Sequence, residues 1–343
     1  MLKWNTVWRT AKTVAAPSTM LTENGRPFAM VAREVKAMQQ HIAGLVSNKN
    51  HEVLDHAGKY MFGASGKLLR PTLVAMMAHA LLPPHVSKEI QESPIGSLDE
   101  IPPAPFDRFC GLVRSRNSST RRQPALHCVY GTKRAVLAGD FVLARASLWI
   151  ATLSIPRIVV LMTTALEDLT AGELMQMDGC FDLGRYEQKT YCKTASLMAN
   201  SLAATAVLAD PQNMAYEAAA AEFGKRLGIA FQIVDDCLDI TGDEKNLGKP
   251  KMADMKEGIA TLPVLLAGRQ DPCVDAAIRR RFKEPGDTEI CMEAVERHGC
   301  VAEALQHADQ HCRRGVEALQ TLHHSPARDG LEAAVGLVLT RQV

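Results

Sequence analysis

Apolar residues recur every three or four positions along most of this chain, which is the spacing of one face of an α-helix. From residue 28 to residue 42 this spacing predicts an amphipathic helix. It also predicts long helices over residues 67–82, 134–154, 157–177, 186–208 and 215–240, and shorter ones from residue 262 onward, the last over 327–339. No window of alternating β-branched residues predicts a strand. The pattern therefore predicts an all-α fold.

One stretch interrupts the helical pattern. Six prolines fall between residues 83 and 105, and a polar run follows over residues 114–122. Prolines at this density exclude a continuous helix, and so long an irregular segment is uncommon inside a compact bundle. We expect residues 27–343 to form a single domain, a bundle of about ten or more helices, in which residues 83–120 are irregular.

Composition narrows the possible functions. The formal net charge of +1 provides no overall field that would attract nucleic acid. The nine cysteines are scattered and contain no CxxC pair, which suits a reducing compartment and argues against a disulfide framework or a structural zinc site. No uncharged apolar run reaches the roughly 18 to 20 residues that cross a bilayer. The nearest, residues 146–166, contains Pro156 and Arg157 and predicts two buried helices that meet at a break.

The first 26 residues differ from the rest of the chain. They contain Lys3, Arg9 and Lys12 among several Ser and Thr, and no acidic residue precedes Glu23. A basic, hydroxyl-rich and acid-poor composition is typical of an organelle transit peptide. A disordered tail is an equally good interpretation. A transit peptide predicts a mitochondrial protein, whereas a disordered tail is compatible with a cytoplasmic protein.

Three aspartates stand on one of the apolar helices, near its end. At 3.6 residues per turn, Asp235 and Asp239 lie on one face, and Asp236 is adjacent. Carboxylates among apolar neighbours repel one another and resist burial unless a cation lies between them. Mg²⁺ takes oxygen ligands, usually one or two carboxylates together with substrate phosphates, and Lys245 and Lys249 follow closely. The pattern favours a magnesium–diphosphate site over an ordinary acidic turn of a surface helix.

The motif Asp235-Asp-Cys-Leu-Asp239, with Gly248-Lys-Pro250 after it, resembles the second aspartate-rich motif of the trans-isoprenyl diphosphate synthases, the polyprenyl synthetases. Further stretches resemble motifs of this family in the same order. They are Gly66-Lys-Leu-Leu-Arg-Pro71, the segment from Tyr130 to Asp140, Gly172-Glu173, Lys193-Thr-Ala-Ser196 and the segment from Phe223 to Ile233. The resemblance covers residues 28–82 and 121–343, and it is closest in character to the long-chain, solanesyl- and decaprenyl-type synthases.

The resemblance implies a fold of isoprenoid synthase type, with helices around a central prenyl-diphosphate cavity, and Mg²⁺ as cofactor. It implies that the metal is held by Asp235, Asp236 and Asp239, the first two acting in catalysis together with Lys193. The residues implied to contact the allylic diphosphate are Lys193, Thr194, Gln232 and Lys249. The residues implied to bind isopentenyl diphosphate are Lys67 and Arg70, with Arg121 and Arg122 also in substrate binding. A surface cationic pair is the alternative for Lys67 and Arg70, and a satisfied buried amide is the alternative for Gln232.

One part of the family pattern is missing. Asp235-Asp236 is the sole Asp-Asp pair in the chain, and the positions of the family's first aspartate motif fall on Leu112, Val113 and Arg116. One explanation is a divergent, non-catalytic regulatory subunit of a hetero-oligomeric synthase. The other is that residues 83–120 are a mis-spliced or misread stretch of a gene that encodes an active enzyme. The abrupt loss and sharp recovery of the helical pattern favour the second.

Three hypotheses of function follow. The first is a prenyltransferase that elongates an allylic diphosphate with isopentenyl diphosphate to a polyprenyl diphosphate for quinone side chains, as a homodimer or a heterodimer with a paralogue. The second is the regulatory subunit. The third is a class I terpene cyclase, which Lys67 and Arg70 disfavour because a cyclase has no second diphosphate to hold.

Overall fold

The computed structural model describes residues 28–45, 51–63, 69–83, 85–88, 126–242 and 252–340. Within these ranges the regular elements are helices and no strand is present. The α-helices named in these ranges are α1 (Ala32–Leu45), α2 (Glu52–Gly63), α3 (Leu69–Leu81), α4 (Leu126–Tyr130), α5 (Thr132–Thr152), α6 (Pro156–Asp178), α7 (Leu183–Thr190), α8 (Ser196–Ala209), α9 (Met214–Thr241), α10 (Ala253–Lys256), α11 (Leu262–Gly268), α12 (Pro272–Arg279), α13 (Asp287–Arg297), α14 (Cys300–Leu319) and α15 (Pro326–Leu339). The predicted all-α bundle of more than ten helices is confirmed. The N-terminal segment 1–26 and most of the stretch 83–120 lie outside the described residues.

The helices near the aspartates begin and end where the sequence supplies the appropriate residues. Pro156 stands in the first turn of α6, where a missing N–H costs little. Gly179 ends the same helix with φ of 98°, a conformation that favours glycine. The side chains of Asp182 and Asn213 accept a backbone N–H from the first turns of α7 and α9, at 2.9 and 3.1 Å. The predicted break ahead of α6 is confirmed.

Helix α9 is the central element of the fold. It packs along α8 and along α14, and α8 in turn packs against α6. Its side chains Phe223, Leu227, Ile233 and Val234 are at most 2% exposed, and each such burial stabilises the fold by about 1.5–3 kcal/mol. The helix that carries the three aspartates is therefore held firmly by its neighbours.

The structure corrects one predicted element. The sequence predicts a continuous helix over residues 186–208, whereas the structure has α7, a π-helical turn over Tyr191–Ala195 and then α8. The hydrophobic spacing could not reveal the wider turn because both flanking segments remain helical. Turns of this kind are rare and are frequently found at functional sites. We refer to Tyr191–Ala195 as the π turn.

Two glycines let neighbouring helices approach the π turn closely. A Cβ added to Gly228 of α9 would lie 2.6 Å from Cα of Ala195, and one added to Gly172 of α6 would lie 2.8 Å from the backbone nitrogen of Lys193. Both distances are far below ordinary van der Waals contact. The π turn therefore lies between α6 and α9, and only glycine fits at these two contact points without a backbone shift.

The prediction that the helix before the break is buried is wrong, because α5 presents an exposed apolar surface. Val136, Leu137 and Leu148 are each more than half exposed, and Leu143 is 39% exposed. In the part of the chain that the structure describes, α5 alone is long and apolar enough to cross a membrane by length and composition. A single helix of this kind is weak evidence for a membrane span, and the same surface would suit contact with another protein.

Candidate diphosphate and metal site

The three predicted metal ligands lie in the last turns of α9, but their environments differ. Asp236 and Asp239 are 3% and 1% exposed, whereas Asp235 is half-buried. Successive residues of a helix point about 100° apart, so the three carboxylates face different neighbours. Each carboxylate therefore has its own set of contacts.

The carboxylate of Asp236 is surrounded by donors from the protein. Its Oδ2 accepts the hydroxyl of Tyr186 at 2.7 Å and the backbone N–H of Leu262 at 3.5 Å, and its Oδ1 accepts the amide of Gln232 at 2.9 Å. Burial raises the pKa of Asp236, while the charge of Lys189 and these hydrogen bonds oppose the rise. Both oxygens of Asp236 are therefore engaged by donors from α7, α9 and α11.

Asp239 lies where the chain returns to the end of α9. Its Oδ2 accepts the backbone N–H of Asp254 at 3.3 Å, and its carbonyl oxygen accepts the backbone N–H of Met252 at 3.1 Å. The chain that leaves α9 at Gly242 therefore comes back to the same residue before α10 begins. Asp239 is positioned by both its side chain and its backbone.

The π turn brings two further predicted residues to this end of α9. The ammonium of Lys193 donates to Oε1 of Gln176 at 2.8 Å and lies 3.2 Å from Oε2 of Glu173. Its side chain is 30% exposed and so remains accessible to a ligand. The hydroxyl of Thr194 donates to Oε1 of Gln232 at 3.0 Å. Lys193 and Thr194 are thus oriented by α6 and by α9.

Two residues of this cluster, Lys189 and Tyr186, were not predicted from the sequence. Lys189 is 5% exposed, and its ammonium lies 4.8 Å from the ring centroid of Tyr186, within the range of a cation–π contact. Burial and the charge of Asp236 raise the pKa of the Tyr186 phenol well above its usual range, so the phenol keeps its proton and donates. The spacing of Tyr186, Lys189 and Lys193 at i, i+3 and i+7 marks one helical face and was the available signal.

The structure therefore connects six predicted site residues around the end of α9, namely Lys193, Thr194, Gln232, Asp235, Asp236 and Asp239. Arg70 lies in the first turn of α3 and is half-buried. The remaining predicted residues, Lys67, Arg121, Arg122 and Lys249, lie outside the described ranges, as do Leu112, Val113 and Arg116. What the structure describes is the predicted allylic-diphosphate half of the site.

The donor set decides which kind of metal site these residues fit. Among the described residues no group of three or more His, Cys, Asp or Glu side chains is placed to hold a metal ion. Asp235 and Asp239 offer hard oxygen atoms, and Mg²⁺ commonly takes one or two carboxylates and completes its shell with substrate phosphates and water. The residues fit a magnesium ion that is held jointly with a diphosphate.

The comparisons agree with the class of protein that the fold and this site define. The family model of the polyprenyl synthetases matches residues 117–295, and the chain belongs to this family of prenyltransferases. The all-trans-polyprenyl-diphosphate synthase of Homo sapiens is 35% identical over 323 residues, covering 92% of this chain and 77% of the relative. Solanesyl-diphosphate synthase 1, mitochondrial, of Oryza sativa is 33% identical over 343 residues, with the same two coverages.

A further relative and two solved structures extend the likeness over nearly the whole chain. Decaprenyl-diphosphate synthase subunit 1 of Schizosaccharomyces pombe is 30% identical over 367 residues, covering 98% of this chain and 97% of the relative. The apo form of an Arabidopsis medium/long-chain length prenyl pyrophosphate synthase has a TM-score of 0.70 at 28% identity, covering 92% of this chain and 99% of that one. A Caulobacter crescentus polyprenyl synthase complexed with calcium and isoprenyl diphosphate has a TM-score of 0.75 at 24% identity, with coverages of 92% and 98%. The predicted family and isoprenoid synthase-type fold are confirmed, and the family generally uses divalent metal ions.

Proposed function

We propose that this chain elongates an allylic prenyl diphosphate with isopentenyl diphosphate to a long-chain polyprenyl diphosphate, in the presence of Mg²⁺. The observation that carries the proposal is the linkage of Thr194, the neighbour of Lys193, through Gln232 to Asp236 near the end of α9 in a chain of the polyprenyl synthetase family. The long-chain character rests on the solanesyl and decaprenyl names of the relatives.

Lys193 and Thr194 would hold the allylic diphosphate. The ammonium of Lys193 carries three donors, and Gln176 and Glu173 fix its position from α6. When the allylic carbon–oxygen bond breaks, negative charge accumulates on the departing diphosphate, and donors already held in place stabilise that charge without reorganising.

Asp235 and Asp239 would hold Mg²⁺ against the same diphosphate. When bound, the metal neutralises charge on the diphosphate oxygens. The surrounding helix is apolar, since Val234, Cys237 and Leu238 are all at most 5% exposed. Low polarity around the site strengthens each electrostatic contact within it. Apolar walls also keep water away from the electron-deficient allylic group until isopentenyl diphosphate reacts with it.

The isopentenyl diphosphate would lie on the other half of the site. We assign its binding to Lys67 and Arg70, with Arg121 and Arg122, because these residues match the family motif. Of the four, Arg70 is the one that the structure describes, half-buried at the start of α3. A planar guanidinium suits bidentate contact with phosphate oxygens.

The proposal is tested with purified protein, Mg²⁺, farnesyl diphosphate and labelled isopentenyl diphosphate, with labelled products separated by length. The wild type should form products longer than the added acceptor. Lys193→Ala removes a charged hydrogen bond of about 2 kcal/mol and should lower the rate about 30-fold. Asp235→Asn should raise the required Mg²⁺ concentration. Lys59→Ala, on a side chain 60% exposed in α2, is the control and should match the wild type.

A second candidate, a regulatory subunit, has its own supporting observations. Asp235-Asp236 is the sole Asp-Asp pair in the sequence, and the fission yeast relative is named as one subunit of its synthase. The same assay decides between the two functions when a complete paralogue is added. Turnover by this chain alone refutes the regulatory role, whereas turnover in the mixture alone refutes independent catalysis. Sequencing the transcript across residues 83–120 tests the mis-splicing explanation separately.

We also propose that the chain forms a dimer, with itself or with a paralogue, through the exposed face of α5. The exposed apolar side chains Val136, Leu137 and Leu148 on this helix support the proposal, since large apolar patches are rare on the surface of monomers. Leu137→Glu together with Leu148→Glu should dissociate the dimer in sedimentation experiments. Ile290→Glu, on the partly exposed α13, should leave it intact. A wild type that sediments as a monomer, alone and with its paralogue, would refute the proposal.

We propose a mitochondrial location, with the product used for quinone side chains. The supporting observations are the basic and acid-poor residues 1–26 and the mitochondrial names of the rice and Yarrowia lipolytica relatives. A fusion of residues 1–26 to a fluorescent protein should enter mitochondria. A fusion that stays in the cytoplasm would refute the assignment.

A further inference from the structure

We infer that Tyr186 and Asp236 are positioning residues that hold the π turn in place for diphosphate binding, and that Asp236 is not a metal ligand. The inference rests on the proposed function, because it concerns the residues that would contact the diphosphate. It assigns Tyr186 a role in the site and separates Asp236 from Asp235 and Asp239.

The first argument is that the chain is tied to α9 at two points, one before the π turn and one within it. On the N-terminal side, the hydroxyl of Tyr186 in α7 donates to Oδ2 of Asp236 at 2.7 Å. Within the turn, the hydroxyl of Thr194 donates to Oε1 of Gln232 at 3.0 Å. Gln232 then donates from its amide to Oδ1 of Asp236 at 2.9 Å. Both ties therefore meet at one carboxylate, one turn of α9 from Gln232.

The second argument is that Gln232 has a single orientation that satisfies both contacts. Its oxygen must face Thr194 and its nitrogen must face Asp236, because a carboxylate accepts and does not donate. A negatively charged Asp236 thereby fixes the amide and, through it, the hydroxyl of Thr194. Loss of that carboxylate frees the amide to rotate, and the hydroxyl beside Lys193 loses its partner.

The third argument concerns the electrostatic environment of Asp236. A carboxylate that is 3% exposed pays a large desolvation cost unless charge and hydrogen bonds compensate it. The nearby ammonium of Lys189, itself 5% exposed, supplies the charge. Tyr186, Gln232 and the Leu262 amide supply the hydrogen bonds. These contacts occupy both oxygens, so a metal ion would have to displace donors that the protein has already placed.

The glycines around the π turn show why its position needs to be held. Gly172 and Gly228 bring α6 and α9 to within backbone contact of Lys193 and Ala195. The backbone of the turn therefore has little room, and a small rotation of α7 would move Lys193 away from Glu173. The tie from Tyr186 prevents that rotation.

The test compares Tyr186→Phe, Asp236→Asn and Asp235→Asn by calorimetry with inorganic pyrophosphate and Mg²⁺. Tyr186→Phe and Asp236→Asn should each weaken pyrophosphate binding about tenfold at saturating Mg²⁺. They should leave the half-saturating Mg²⁺ concentration, measured at saturating pyrophosphate, within about twofold of the wild type. Asp235→Asn should raise that concentration. The double variant Tyr186→Phe/Asp236→Asn should bind pyrophosphate no more weakly than the weaker single variant, because both substitutions remove the same Tyr186–Asp236 hydrogen bond.

A second measurement needs no ligand. Hydrogen exchange of peptides that cover residues 183–200 should be faster in Tyr186→Phe and in Asp236→Asn than in the wild type. Tyr216→Phe, at the start of α9 and away from the cluster, is the matched control and should exchange like the wild type. A wild type that does not bind pyrophosphate with Mg²⁺ would refute the proposed function, while the exchange result would still decide whether Tyr186 holds the π turn.

Two outcomes would overturn the inference. One is an Asp236→Asn variant that raises the Mg²⁺ requirement as Asp235→Asn does, which would make Asp236 a ligand. The other is a Tyr186→Phe variant with wild-type exchange and wild-type pyrophosphate affinity, which would make its hydrogen bond incidental.

Discussion

Gly228 offers a sharp test of the packing that places the π turn. It lies inside α9, and a Cβ there would meet Cα of Ala195 at 2.6 Å and its Cβ at 2.8 Å. Neither atom belongs to a flexible side chain that could rotate away. Gly228→Ala must therefore push the π turn and α9 apart by several tenths of an ångström.

The net effect on stability is a balance of two terms. Alanine is favoured over glycine in a helix interior by about 1 kcal/mol. Overpacking of a closely packed contact costs about 1–3 kcal/mol, and the upper end applies because the opposing atoms are backbone and Cβ. The two terms leave Gly228→Ala less stable than the wild type by about 2 kcal/mol.

The assay is urea denaturation followed by circular dichroism, with Gly336→Ala as the matched control. Gly336 lies inside α15, and a Cβ there would meet nothing within 4 Å, so this variant should be more stable by about 0.5–1 kcal/mol. Because Ala195 adjoins Thr194, Gly228→Ala should also weaken pyrophosphate binding. A Gly228→Ala variant as stable as Gly336→Ala would refute the proposed contact between α9 and the π turn.

Two predictions concern pH. Burial and the charge of Arg226 lower the pKa of His311 to about 4 from 6.5. Between these two pH values the unfolded chain binds a proton that the folded chain does not. The free energy of unfolding should therefore fall as the pH is lowered through this range. His311→Gln should flatten that slope in urea denaturations from pH 7 to 4, and an unchanged slope would contradict the assignment. The hydrogen bond from Arg280 lowers the pKa of Asp287 below 3.8. The contribution of this carboxylate to the stability of the fold is therefore complete above pH 3.8, and it is lost as the pH falls through the lowered pKa. Asp287→Asn should reduce the loss of stability as the pH is lowered below the usual aspartate pKa of 3.8, and an acid transition identical to that of the wild type would contradict this prediction.

Much of the fold follows from local patterns. The helical spacing over residues 134–154, 157–177 and 215–240 is reproduced by α5, α6 and α9 to within about two residues, the usual uncertainty of helix ends. A helix of this length contains its own hydrogen bonds and its own buried face, so its position depends mainly on nearby residues. The family was likewise evident from the order and spacing of its motifs.

Less of the candidate site could be predicted from local patterns. The spacing i, i+4 grouped Asp235 with Asp239, and residue type alone added Asp236. The structure separates Asp236 through contacts with Tyr186, which lies 50 residues earlier in the chain. A partner so distant leaves no periodic signal in the sequence.

The sequence by itself determined that the protein is helical, that it belongs among the prenyl-diphosphate enzymes, and that acidic and basic side chains gather near the end of one apolar helix. Each of these depends on composition, on local periodicity or on short motifs. The tertiary structure decided which oxygen atoms face protein donors, where the helix widens into a π turn, and which glycines permit contact between α6, the π turn and α9. Those features arise when segments far apart in the chain compete for the same space and the same hydrogen bonds, and that competition takes place only in the folded protein.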